Sequence, residues 1–162
     1  MENDIIYKVA EQDDLYKLVK FLSSPEIDLS FVRPLSQRNL SIEERVQKKY
    51  KNGLWLLAID TSTIAGCLAL IQADEESIEI STYAVSPKYQ GKGIGGRLID
   101  ESIVLCRKIY PNFKKIILDS WEGNEAISKL MQKKEFVLAK SFYDIEKRPE
   151  GIKTVIYERN LV

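Results

Sequence analysis

The chain has no histidine among its 162 residues. That excludes serine–histidine and cysteine–histidine nucleophile pairs. It also removes most zinc sites, because two cysteines cannot supply four ligands, and no metal is expected. Proton transfer must rest on carboxylates, tyrosine, lysine, cysteine or water. Net charge is absent too, since 24 basic residues are matched by 24 acidic ones. A neutral chain offers no broad electrostatic footprint for nucleic acid or an anionic membrane. No apolar run approaches the roughly 20 residues of a membrane span. The acidic start MENDIIYKVAEQDD lacks a signal-peptide pattern, so a cytoplasmic location is expected. Cys67 and Cys106 lie in the apolar settings AGCLAL and IVLCRKI, which read as buried thiols and not as a disulfide.

What remains is an ordinary globular composition and one expected domain over residues 1–162. IIYKVAE reads as a first strand. DDLYKLVKFL follows as a helix, with Asp13 as a candidate cap. Ser23 to Leu40 has no clean period and is long for a structureless connection. Ser41-Ile42-Glu43-Glu44 is a capping box that predicts a helix ending at Asn52-Gly53. Three strands then follow over 54–60, 64–73 and 77–85. Their short connections require an antiparallel meander. A helix should run from the glycine loop to about Tyr110, with a strand at 114–121 reached through that crossover and therefore parallel to the third meander strand. A helix from Asn124 to Lys134 and a final strand pair complete the chain. The expected class is mixed α/β: about seven mostly antiparallel strands, about four helices and one central parallel pair.

The densest motif is SPKYQGKGIGGRLID, from Ser86 to Asp100, with Gly91, Gly93, Gly95 and Gly96. Three anion-binding patterns compete for it. The dinucleotide fingerprint G-x-G-x-x-G is matched literally by Gly91, Gly93 and Gly96, with Asp119 as a ribose ligand. That would make the protein a nucleotide-linked oxidoreductase. However, Ser86 to Gln90 separate the strand from the first glycine, and the strand belongs to a meander. A P-loop fails because Gly93 follows Gly91-Lys92 where serine or threonine is needed. The pattern Q/R-x-x-G-x-G/A is met by Gln90, Gly93 and Gly95.

At these residues the chain resembles the GNAT N-acetyltransferase superfamily. The Val85-x-Pro87 lead-in, Asn124, Leu130, Phe136 and the order of elements carry the likeness along nearly the whole chain. The resemblance implies acetyl-coenzyme A as co-substrate, a slot where the parallel strands splay apart, and direct acetyl transfer to a primary amine. It implies that Gln90, Gly91, Lys92, Gly93, Ile94, Gly95 and Gly96 hold the pyrophosphate. Backbone of Ala84 and Val85 would hold the pantetheine arm, and Val85 would polarise the thioester. Asn124 and the position of Met131 would meet the cofactor from the following helix. The resemblance also makes a homodimer an expectation.

An alkylammonium of ordinary pKa is neutral in only about one molecule in 2,500 at pH 7, so a base is needed. Glu79 is the candidate, six residues before Val85 where the histone-modifying branch carries its glutamate. Strand alternation would place it on one face with Ser81, Tyr83 and Val85. Many relatives protonate the leaving thiolate with a tyrosine where this chain has Met131. That departure leaves Tyr143 as an alternative acid, or a catalytically weak acyl-coenzyme A-binding or sensing module. Phe31, Arg33 and Tyr143 are candidate acceptor walls, and the acceptor itself is left open.

Overall fold

The computed structural model describes residues 4–27 and 39–162. Phe31 and Arg33, the candidate acceptor walls, lie outside them. Seven strands form one sheet in the order β1-β2-β3-β4-β5-β7-β6. They are β1 (Ile5–Val9), β2 (Gly53–Asp60), β3 (Thr63–Gln72), β4 (Ser77–Val85), β5 (Lys115–Trp121), β6 (Val137–Tyr143) and β7 (Lys153–Asn160). Four helices accompany them: α1 (Leu15–Leu22), α2 (Ile42–Asn52), α3 (Ile94–Ile109) and α4 (Glu125–Lys133). Every strand pair is antiparallel except β4 with β5. The mixed, mostly antiparallel sheet expected from the sequence is therefore present. Among the described residues no helix is long and apolar enough to cross a membrane.

Alternation along the central strands feeds two cores, one on each sheet face. Leu54, Leu56, Leu68, Leu70, Ile78 and Ile80 pack with Leu98, Ile99 and Ile103 of α3 and Met131 of α4. Trp55, Leu57, Cys67 and Ala69 pack with Leu15, Leu18 and Leu22 of α1 and Val46 of α2. Both cysteines are buried and unpaired, and burial pushes each thiol up to about 12. Their inertness follows from that burial.

Local signals explain most helix ends. Ser41 Oγ accepts from Glu44 N–H at 3.0 Å, the expected cap of α2. Asp13 does not cap α1. A 3₁₀ turn over Gln12–Asp14 precedes that helix, and a reciprocal Glu11/Asp14 box closes the turn, with Asp14 accepting from Glu11 N–H at 2.8 Å. Asp14 also pairs with Lys8 at 2.9 Å, so its carboxylate is committed to the β1 side.

The turn after α4 contains a misfit. Glu135 adopts φ +65°, a left-handed conformation that costs a Cβ-bearing residue roughly 1–2 kcal/mol. Its carboxylate reaches Arg159 only at 3.5 Å and is 80 % exposed, too weak a pair to compensate. Glu135→Gly should raise stability by about 1 kcal/mol, read as a higher urea midpoint at constant m, whereas Glu135→Ala should not. Equal midpoints for the two variants would show that the turn is unstrained.

Candidate active site

The parallel pair β4–β5 is short. Its register runs from Ser77↔Lys115 to Ile80↔Leu118 and stops. On the outer sides both strands continue to pair, β4 with β3 as far as Val85↔Gly66 and β5 with β7 as far as Trp121↔Thr154. The two strands therefore part over 81–85 and 119–121, leaving a slot edged by backbone groups. The cause is a bulge. Opposite β3, the register shifts by one between Ala69↔Ser81 and Cys67↔Ala84. Thr82, the extra residue, has φ +50°.

The bulge corrects one expectation. Glu79 does not share a face with Tyr83 and Val85, because the added residue inverts the alternation. Tyr83 and Val85 pack against the α3–α4 core, as Ile78 and Ile80 do, while Ala84 joins the α1–α2 core. Glu79 looks toward α2.

A cleft of about 700 Å³ follows the slot. It is lined by Glu79, Ala84, Val85, Gln90, Gly91, Gly93, Ile94, Gly95, Gly96 and Asn124, so most of the sequence candidates converge. Gly91 and Gly93 have φ +77° and +82°, and a Cβ built on either would meet open space. These positions need glycine for conformation and leave the backbone bare toward the cleft. Gly93 caps α3, whose first bond runs from Arg97 N–H to Gly93 O at 3.0 Å. The N–H groups of the first turn stay free of the helix ladder, and free N–H groups at a helix N-terminus favour an anion. Gln90 has a local task, donating from Nε2 to Val85 O at 3.2 Å. Asn124 Oδ1 accepts from Ile127 N–H at 3.4 Å as the α4 cap, and Nδ2 donates to Ser120 Oγ at 3.1 Å.

Three candidates fall outside this lining. Met131 is fully buried in the core, because α4 turns Ile127 and Leu130 to the cleft instead. Tyr143 is 65 % exposed on the edge strand β6, with Lys153 Nζ 5.3 Å from its ring centre. Lys92 stacks over Tyr89 at 5.4 Å and does not line the cleft.

At the fork of the slot the structure adds Lys147, Arg148 and Lys49, which the sequence reading missed, and gives Asp119, weighed there only as a ribose ligand, a different setting. Asp119, one residue past the last β4–β5 pair, accepts from Lys147 Nζ at 2.6 Å and from Arg148 Nη2 at 3.0 Å. Arg148 is buried and also donates to Ser120 O at 3.2 Å. Glu79 lies close enough to Asp119 for the two carboxyls to act on each other. Burial, then the Asp119 charge, pushes the Glu79 carboxyl up to about 7. Burial works against the Lys147 charge, yet Asp119 and Glu79 hold its pKa above the ordinary lysine value. Lys49 lines the cleft from α2. Burial, then neighbouring Arg45, lowers it to about 8.

The arrangement combines an anion cradle, an open strand edge and a carboxyl poised near neutrality. A family model described as the Acetyltransferase (GNAT) family matches residues 21–136. The chain belongs to that family. A search of curated proteins finds no match. Among solved structures, an N-acetyltransferase from Staphylococcus aureus Mu50 is similar at 21 % identity and TM-score 0.77, covering 98 % of this chain and 99 % of that one. A GNAT family acetyltransferase from Elizabethkingia anophelis, solved with acetyl-CoA bound, has 21 % identity and TM-score 0.69 at 98 % and 99 % coverage. The GNAT acetyltransferase from Streptococcus pneumoniae has 20 % identity and TM-score 0.73 at 97 % and 99 % coverage.

The Glu79 environment makes a stability prediction. Its folded pKa is raised from 4.5 to about 7, so the folded state holds the proton more tightly. That contribution is complete below the unfolded value and is lost as pH rises through about 7. Wild type should lose stability over this window relative to Glu79→Gln, measured by urea unfolding at several pH values. Parallel curves would place Glu79 in an unperturbed, solvated setting.

Proposed function

We propose that this protein transfers the acetyl group of acetyl-coenzyme A to a primary amine of a small molecule or protein. The observation that carries this is the parting of β4 from β5, whose slot joins the glycine cradle to Glu79. The acetyl-CoA bound by the Elizabethkingia relative supports the same co-substrate here. The loop fits a pyrophosphate by its backbone: Gly91 and Gly93 take the positive φ that side chains rarely adopt, and the space beside them is open.

Residues 91–96 would hold the pyrophosphate, and backbone of Ala84 and Val85 the pantetheine arm. Val85 backbone would polarise a carbonyl in the slot. When bound, acetyl-coenzyme A supplies a thioester whose C–S bond is exchanged for an N–C bond to the amine, releasing the thiol. Glu79 removes the ammonium proton. With a pKa of about 7 it is half ionised near neutrality, which suits a general base. Asp119 cannot share that task freely, because Lys147 and Arg148 occupy it. Neither Met131 nor Tyr143 stands at the cleft to protonate the thiolate. Tyr83 does line it, and burial holds its phenol well above the ordinary value. It remains a donor throughout the neutral range. A second reading, a weakly catalytic acyl-coenzyme A-binding module, draws on the missing tyrosine at position 131. A homodimer is part of the family likeness.

Calorimetric titration should show saturable acetyl-coenzyme A binding and none of NADH. NADH binding alone would overturn the proposal. Gly93→Val should weaken acetyl-coenzyme A at least tenfold, about 1.4 kcal/mol, in a chain that still folds by circular dichroism; retained affinity would remove the loop from the site. Glu79→Gln should lower kcat by about 10²–10⁴ at neutral pH with little change in acetyl-coenzyme A affinity. It should also abolish the rise of rate through pH 7. Tyr83→Phe should lower kcat alone; unchanged turnover would assign the final protonation to water.

A further inference from the structure

The glycines at the start of α3 are not equivalent. Gly91 and Gly93 take positive φ. Gly96 faces the flexible end of Lys134, whose Cε would stand 3.3 Å from an added Cβ. Gly95 differs from all three. It lies in the first turn of α3 without a positive φ, so its backbone suits any residue. Glycine is a poor helix former unless something needs the missing side chain. Here that something is Tyr83. A Cβ on Gly95 would run into the Tyr83 hydroxyl oxygen. Tyr83 Cζ at 3.4 Å and Val85 Cγ2 at 3.6 Å would be ordinary neighbours, so the clash belongs to one oxygen atom.

Tyr83 stands in the part of β4 that has left β5, and it lines the cleft. Among the described residues its hydroxyl has no hydrogen-bond partner. A half-buried phenol in that state is a donor not yet used. Its place along the strand says for what. Glu79 precedes it on β4 and Val85 follows it. A thioester held at Val85 with its acetyl end toward Glu79 passes Tyr83.

The geometry points to Gly95 as a positioning residue: its bare Cα seats the Tyr83 hydroxyl, which donates to the sulfur leaving the thioester. This rests on the acetyltransferase reading and supplies what holds its acid. As the N–C bond forms and the C–S bond breaks, the thiolate takes the Tyr83 proton. Water receives the second proton of the amine and returns one to the phenolate. The first turn of α3 presents its positive end to the same oxygen, which eases that transient charge.

The test reads the sulfur contact without turnover. Wild type and variants are titrated with coenzyme A and with its desulfo analogue, in which hydrogen replaces the thiol. At about pH 9 most of an ordinary thiol is ionised, while Tyr83 keeps its proton. Wild type should then bind coenzyme A about tenfold tighter than the analogue. Tyr83→Phe should bring the two affinities together. Gly95→Ala, which pushes the hydroxyl aside, should do the same and leave affinity for the analogue within about twofold. The double variant should show no further change. A wild-type protein without the preference would overturn the inference, as would a preference that survives either single substitution. An equal loss of both compounds in Gly95→Ala would also overturn it, because Gly95 would then serve only the phosphates. If Gly95→Ala does not fold, the double variant should, since only Cζ at 3.4 Å faces the new methyl; its failure would remove the seat. Wild type that binds neither compound would sink the acetyltransferase reading itself, whereas equal binding of both would sink only this pair.

Discussion

Everything at the cleft depends on β4 leaving β5 after four residue pairs. A continuous parallel ladder would satisfy the backbone of residues 81–85 within the sheet. Because Thr82 adds a residue against β3, the strand bends and that backbone faces a gap. The same bend aims the chain at the 3₁₀ turn Pro87–Tyr89 and the glycine cradle at the start of α3. One irregularity thus sets an open strand edge and the glycine loop at a helix N-terminus along a single line. The strand and helix lengths around it are ordinary.

The second organising element is charge held away from water. Asp119 sits where the strands part and gathers Lys147 and Arg148 from the turn before β7. This ties the far end of the chain to the centre of the sheet. It also sets the Glu79 carboxyl, since an ionised neighbour and a half-buried position both disfavour a second negative charge. The Glu79 carboxyl is therefore tuned by Asp119, and the Arg148 guanidinium, buried against Ser120 O, keeps that tuning residue in place.

The elements were legible because their signals are local. The Ser41 capping box, the apolar meander and the Asn52-Gly53 stop act within a few residues, and each appears where the pattern placed it. The glycine loop was legible as a turn for the same reason, since Gly91 and Gly93 take the positive φ that makes glycine necessary. The interior of the site was not. A bulge carries no glycine here, so Thr82 looked like any strand residue and the faces of Tyr83 and Val85 were assigned the wrong way. Asp119 and Lys147 lie 28 positions apart in sequence, and nothing in either segment announces the other. Met131 matched the family's tyrosine by position alone. A helix turns about 100° per residue, so one place along α4 separates a core residue from the cleft-lining Leu130.

Thr82 joins these strands of argument. A β-branched residue at φ +50° is strained, and strain of this kind persists only where its surroundings enforce it. The enforcing contacts are visible. Cys67 Sγ donates to Thr82 O at 3.8 Å from β3, and Lys49 donates to the Thr82 hydroxyl from α2. The cleft-lining lysine of α2 is thus also the one that steadies the bulge. Its position is fixed by the slot it helps to open, which aligns the cation with Glu79 without any further device. An exposed lysine would wander among rotamers and offer no direction. Anchored on Thr82, Lys49 presents its charge from one place, inside the cleft that Glu79 also lines.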